Sequence, residues 1–185
     1  MDKPGTGCER AATGKFLHWL IVVCLLAVGA AGAADDDSAP DEDAMVALHF
    51  LVGNWSGAGW HDHGEGKVNE FDQTLVVESW LDGDVLVSEQ KAILSSDGSR
   101  VLHHSATIYR FHAESGQVVA ENLRDGRRRV TPIEPEEGRI EWLARGDTQR
   151  WSIERTEHGL LQRGRFAETG ALFFELSLQP ARTVE

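Results

Sequence analysis

Apolar and polar positions follow two different rhythms along this chain of 185 residues. From Asp41 to Val52 the apolar side chains Met45, Val46, Leu48, Leu51 and Val52 recur at helical spacing, behind an acidic first turn and ahead of Gly53 as a stop. This predicts one short amphipathic helix. Beyond Gly53 the rhythm changes to alternating segments rich in Val, Ile, Leu, Phe and Trp, each closed by a glycine-bearing turn. The turns fall at Gly64, Gly83, Gly98, Gly116, Gly126, Gly138, Gly146, Gly159 and Gly170, so nine turns separate ten strands.

The Asp-Gly pairs at 82, 97 and 125 mark tight hairpins, because glycine supplies the positive φ that such turns require. Consecutive hairpins make an antiparallel meander, and no segment between them is long enough to be a crossover helix. Left open, a ten-strand meander would expose two edges and an apolar face, so closure into an all-β, calycin-like barrel of the lipocalin or fatty-acid-binding kind is expected, with the helix as its plug. Phe71, Leu75 and Val77 share one face of the second strand, and Leu172, Phe174, Leu176 and Leu178 share one face of the last. The segments 85–94 and 147–155 carry too many charges for a lipid-facing band, so the barrel is expected to be soluble and wide enough to hold a small ligand.

The amino terminus has a pattern of its own. Lys3, Arg10 and Lys15 precede an uncharged apolar run from Phe16 to Val28 and the small residues 29–34, the order of a secretory signal peptide. Cleavage is expected just before Ala34 or Asp35, giving a leader over 1–34, an acidic linker over 35–43 and a barrel domain over 44–182, with a periplasmic or secreted destination. A retained anchor is the alternative, since residues 17–34 approach the minimum spanning length. Cys24 follows the bulky Val23, which does not suit lipid attachment. Cys8 and Cys24 both lie in the leader, so the barrel domain has neither a disulfide nor a thiolate metal site.

The whole chain has 18 basic and 30 acidic residues. Without Lys3, Arg10, Lys15, Asp2 and Glu9, 15 and 28 remain, a mature net charge of −13. Such a field repels phosphate backbones and anionic lipid heads, so neither nucleic acid nor membrane insertion of the mature domain is expected. The basic trio Arg127, Arg128 and Arg129 lies beside a turn and reads as a solvated strand end.

The segment from Leu48 to Gly59, LHFLVGNWSGAG, resembles the opening of secreted bacterial proteins of the calycin type, related to the nitrobindin-like heme-binding barrels. In these a helix runs into a Gly-x-Trp-x-Gly-x-Gly strand, and the similarity extends loosely over 46–182. The resemblance implies a barrel and a heme held by a histidine on a closing strand. This sequence departs there: its last histidine is His158, next to Gly159, and the closing strand LFFELSLQPAR has none. Read physically, Trp55 covers the barrel floor, while Gly57 and Gly59 let the strand bend or the helix approach.

Candidate chemistry is sparse. His61 and His63 point to one side of a strand as half of a metal site that His103 or His104 would have to complete. Of the adjacent pair His103 and His104, His104 shares the more apolar parity with Leu102, Ala106 and Ile108 and is expected to face inward. Arg150 is a candidate partner for a ligand carboxylate, although its parity is opposite to that of Trp151 and Ile153. No nucleophile elbow, phosphate loop or dinucleotide fingerprint is present, and Arg145-Gly146-Asp147 reads as a hairpin turn. The expected function is non-enzymatic binding of a small apolar or amphipathic molecule, with Trp55, His104 and Arg150 as ligand-binding residues. The alternatives are a metal- or heme-dependent protein using His61, His63 and His104, and an envelope scaffold whose acidic surface docks a partner.

Overall fold

The structure, a computed structural model, describes residues 44–182. The expected leader and acidic linker lie outside the described residues. Eleven antiparallel strands form one sheet: β1 (Gly53–Asp62), β2 (Val68–Trp80), β3 (Val85–Leu94), β4 (Val101–His112), β5 (Gln117–Arg124), β6 (Arg127–Pro132), β7 (Glu134–Glu136), β8 (Arg139–Ala144), β9 (Gln149–Arg155), β10 (Leu160–Phe166) and β11 (Leu172–Pro180). All nine expected turns separate strands, and the extra strand comes from one break within 127–136.

The sheet runs β6-β5-β4-β3-β2-β1-β11-β10-β9-β8-β7. Its two end strands, β6 and β7, are consecutive in sequence and joined by Ile133, so the chain itself crosses the seam of a nearly closed barrel. β6 pairs with β5 and β7 with β8. Pro132 and Pro135 flank the crossing, and a residue without an N–H is tolerated where a ladder ends. Ile133 turns its side chain into the core there while its N–H donates to the Val118 carbonyl at 3.0 Å.

Of the three Asp-Gly pairs, only Asp125-Gly126 makes a two-residue hairpin, with φ of 51° and 70°, both in the left-handed region that a primed turn needs. Asp97 instead spends its carboxylate on the Ser99 N–H at 3.1 Å and the Ser99 hydroxyl at 2.7 Å, which opens a longer loop between β3 and β4. Asp82 lies in a 3-10 turn, Leu81–Gly83.

Ahead of β1, the described part of the expected helix is a helical turn at 44–46 and a 3-10 turn at His49–Leu51. Met45, Leu48 and Leu51, three residues apart, are buried and close one end of the barrel, while Val46 and Val52 stay exposed. Trp55 ties this plug to β1 by donating its indole N–H to the Leu51 carbonyl at 2.8 Å.

The glycines of β1 answer to a strand rather than to the helix. A Cβ on Gly57 would lie 1.8 Å from the Ser177 carbonyl oxygen, and one on Gly59 would lie 2.5 Å from that of Glu175. The neighbour that requires bare backbone is therefore β11, which pairs with β1 from Trp55↔Pro180 to His61↔Phe174. Gly57→Ala is expected to cost about 3 kcal/mol or more of stability, or to prevent folding. Gly98→Ala, where nothing stands within 4 Å, should stay within about 0.5 kcal/mol. Urea denaturation of the two variants checks the contrast.

Candidate functional site

Alternation along β2 places Phe71, Gln73, Leu75 and Val77 on the inner face, and the ladder carries this parity to Leu86, Ser88, Gln90 and Ala92 on β3. On β4 it continues to His103, Ser105, Thr107 and Tyr109, and on β5 to Asn122. The inner wall over β2–β5 is therefore markedly polar. Gln73 donates to Gln90 Oε1 at 3.4 Å, and Gln90 donates to Ser105 Oγ at 3.0 Å. One row along, Asn122 donates to Thr107 Oγ1 at 2.9 Å, and Ser88 Oγ donates to the Thr107 carbonyl at 3.4 Å. Burial pushes the Tyr109 phenol up, so it stays protonated and able to donate.

The opposite wall is apolar and aromatic. Leu176 and Leu178 of β11, Ile153 of β9 and Ile140 of β8 are buried in one core. Trp142 and Trp151 stack with ring centroids 6.1 Å apart, and Trp151 meets Phe174 at 4.9 Å. A bulge at Phe173 lets Phe173 and Phe174 both turn inward, because Gly164 pairs with Phe174 while Arg165 pairs with Leu172.

The end away from the plug carries only hairpin turns among the described residues. His61 lies there, its ring 4.0 Å from that of His63 and 5.9 Å from each of Phe173 and Phe174. Burial first, then the neighbouring His63 and Arg145, hold the His61 imidazole below its usual range. His63 Nε2 contacts Asn69 Nδ2 at 3.0 Å. Among the described residues no group of three or more His, Cys, Asp or Glu is placed to hold a metal.

The expected orientation of His104 is reversed. Alternation is unbroken from His103 to Tyr109, and it is the polar parity, with buried Ser105 and Thr107, that faces inward; the bulge at Leu102, where Ala92 pairs with His103 but Ile93 with Val101, lies before this run. His103 therefore lies on the inner parity, where burial drives its pKa down to about 4. His104 is exposed and bonds Glu89 at 2.6 Å. His104 and Glu89 line an open groove of about 580 Å³ on the outer face, together with Val87, Ala106, Leu123 and the β5–β6 turn. The cations around this groove largely have partners, Arg128 with Glu121 and Arg124 with Asp125.

Arg150 also faces outward. It is paired with Glu141 at 3.3 Å, within a cross-strand cluster that includes Arg139 and Glu154. Its parity, opposite to that of Trp151, keeps the guanidinium off the inner wall. Trp55 is half-buried, and its only polar atom is used on the plug. Of the three residues expected to meet a ligand, two point away from the interior. The inner polar wall, by contrast, had a signal in the sequence: Gln73 shares its parity with Phe71, Leu75 and Val77.

A heme site of the kind the resemblance implies does not fit these residues. The inward positions of the closing strand are Phe173, Phe174, Leu176 and Leu178, all buried and none able to ligate iron. The inner-face histidines, His61 and His103, stand on β1 and β4 instead.

Fold and interior thus define an antiparallel barrel whose two inner walls differ in polarity. No family model matches the chain, and no curated protein matches it. Among solved structures it is similar to Rv2717c from M. tuberculosis, with 18% identity, a TM-score of 0.54 and coverage of 75% of this chain and 98% of that one. At that identity the likeness is one of fold.

His103 makes the site sensitive to acid. Its folded-state pKa of about 4 lies below the usual 6.5, so between these values the unfolded chain binds the proton and the folded one does not. Its contribution to stability is complete above pH 6.5 and drains away as pH falls towards 4. The loss of stability from pH 7 to pH 5 should therefore be smaller in His103→Gln than in the wild type, and an NMR titration should place the His103 midpoint near 4.

Proposed function

We propose that the protein is an exported binder of a small amphipathic molecule held inside the barrel. One observation carries the reading. Side chains that point inward from both walls, His103, Gln90 and Asn122 on one side and Trp142, Trp151 and Gln162 on the other, are only partly buried although they line the interior. A packed core would cover such groups fully, whereas ligand sites combine an apolar lining with a few placed polar groups. The stacked tryptophans offer area to an apolar body, and the hydrogen-bonded wall offers partners to a polar end.

Export is supported by the basic start, apolar run and small-residue end of the first 34 residues. No helix of the described residues is long and apolar enough to cross a membrane. Kinship with the calycin-type proteins belongs to the same proposal, supported by the Gly53–Gly59 motif and the barrel.

Native mass spectrometry and an ultraviolet-visible spectrum of protein purified without added ligand form the test, followed by titration with N-phenyl-1-naphthylamine. A retained organic mass, or saturable enhancement of the probe's fluorescence that falls in Trp151→Ala, is the expected result. A bare mass together with no probe uptake would overturn the reading.

A further inference from the structure

We propose that Gln73 is the polar anchor of the interior, and that the molecule held there presents a neutral hydrogen-bond donor, such as a hydroxyl, on an otherwise apolar body. The inference rests on the interior being a binding site and names the chemistry of its guest.

Gln73 is 3% exposed, and its Oε1 is a buried acceptor with no partner. Buried polar atoms are almost always paired, because leaving one bare costs about 1–3 kcal/mol. The register explains why this one is left over. Across the sheet Gln73 stands between Gly57 and Ala92, neither of which has a polar side-chain atom. Its amide N–H is directed one row away to Gln90, and Gln90 passes its own N–H on to Ser105. Every donor in this chain runs towards β4, so the free acceptor remains at its β2 end.

The same geometry limits the guest. The neighbouring row toward the floor is Leu75, and the wall beyond Gly57 is Leu178 of β11, so a group that meets Oε1 has apolar surroundings on that side. No carboxylate shares the inner parity of β2 or β3 with Gln73, so an ammonium would arrive without a counter-charge, which is costly in such a place. A hydroxyl or amide N–H meets the acceptor without that penalty.

The test compares 2-naphthol with 2-methoxynaphthalene, which share a body but of which only the first donates. Isothermal titration should show wild-type protein binding 2-naphthol about tenfold more tightly, the worth of one hydrogen bond. Gln73→Leu and Gln73→Met should bind the two compounds equally while keeping the affinity for 2-methoxynaphthalene. Both variants should melt within about 3 °C of the wild-type Tm, since each removes a bare buried carbonyl along with the long hydrogen bond to Gln90. A preference for 2-naphthol that survives in both variants overturns the proposal, as does a wild type that prefers 2-methoxynaphthalene or neither. A Tm lowered by more than about 3 °C in both variants would instead make Gln73 a structural member of the polar wall. If wild-type protein binds neither compound, while the apo interior proves closed to N-phenyl-1-naphthylamine as well, the binding reading itself has failed.

Discussion

Ten of the eleven junctions around the barrel are short turns or the bend at Ile133, but β1 and β11 meet across more than a hundred residues of chain. Their ladder joins the two runs of hairpins into one sheet, and the barrel has no interior until it forms. That pairing depends on the missing side chains of Gly57 and Gly59, which let the backbone of β11 come closer to β1 than any Cβ would allow. The inner wall inherits the consequence. Where β1 offers only hydrogen atoms, Gln73 on the next strand has no cross-strand partner on that side, and Leu178 beyond it is apolar.

The interior is built from two solutions to the same problem of burial. On β8–β11 the chain removes apolar and aromatic surface from water, the dominant favourable term in folding. On β2–β5 it buries amides and hydroxyls, which is tolerable only because nearly all of them bond to one another across strands. The cross-strand ion pairs of β8–β11 are arranged outside. There Arg139, Glu141, Glu154 and Arg150 form one cluster, and Arg163 faces Glu175 at 3.0 Å across β10 and β11. Such exposed pairs contribute little stability each, but they settle which face of each strand is the outer one.

Much of this architecture was legible in the sequence, because turns and alternation are local properties. All nine glycine turns lie where the sequence places them, and the faces of β2 and β11 follow from simple parity. On β4 the alternation held but its sign did not: His103, Ser105, Thr107 and Tyr109 form the inner row although they are the more polar set, so His103 faces inward and His104 outward. The break at Ile133 was hidden because ladder partners are not a local property, although the prolines on either side of it are visible signs. The site was less legible than the fold. A glutamine or serine in a strand reads as solvent-facing, so the polar wall passed for an outer surface. Gln73 stood out only as a polar residue on an apolar parity. Arg150 and His104 drew attention for their chemistry, but chemistry alone does not say which side of a sheet a residue faces.

The seam at Ile133 bears on how molecules of this protein meet one another. Open sheet edges are templates for strands of other chains, since each presents a row of free donors and acceptors. Here the two strands that would form such edges are short, β7 spanning only Glu134–Glu136, and they are continuous with each other. Pro132 and Pro135 remove donors on both sides of the crossing. A second molecule approaching the weakest line of this barrel would find an interrupted edge, poorly suited to extending the sheet from one molecule into the next.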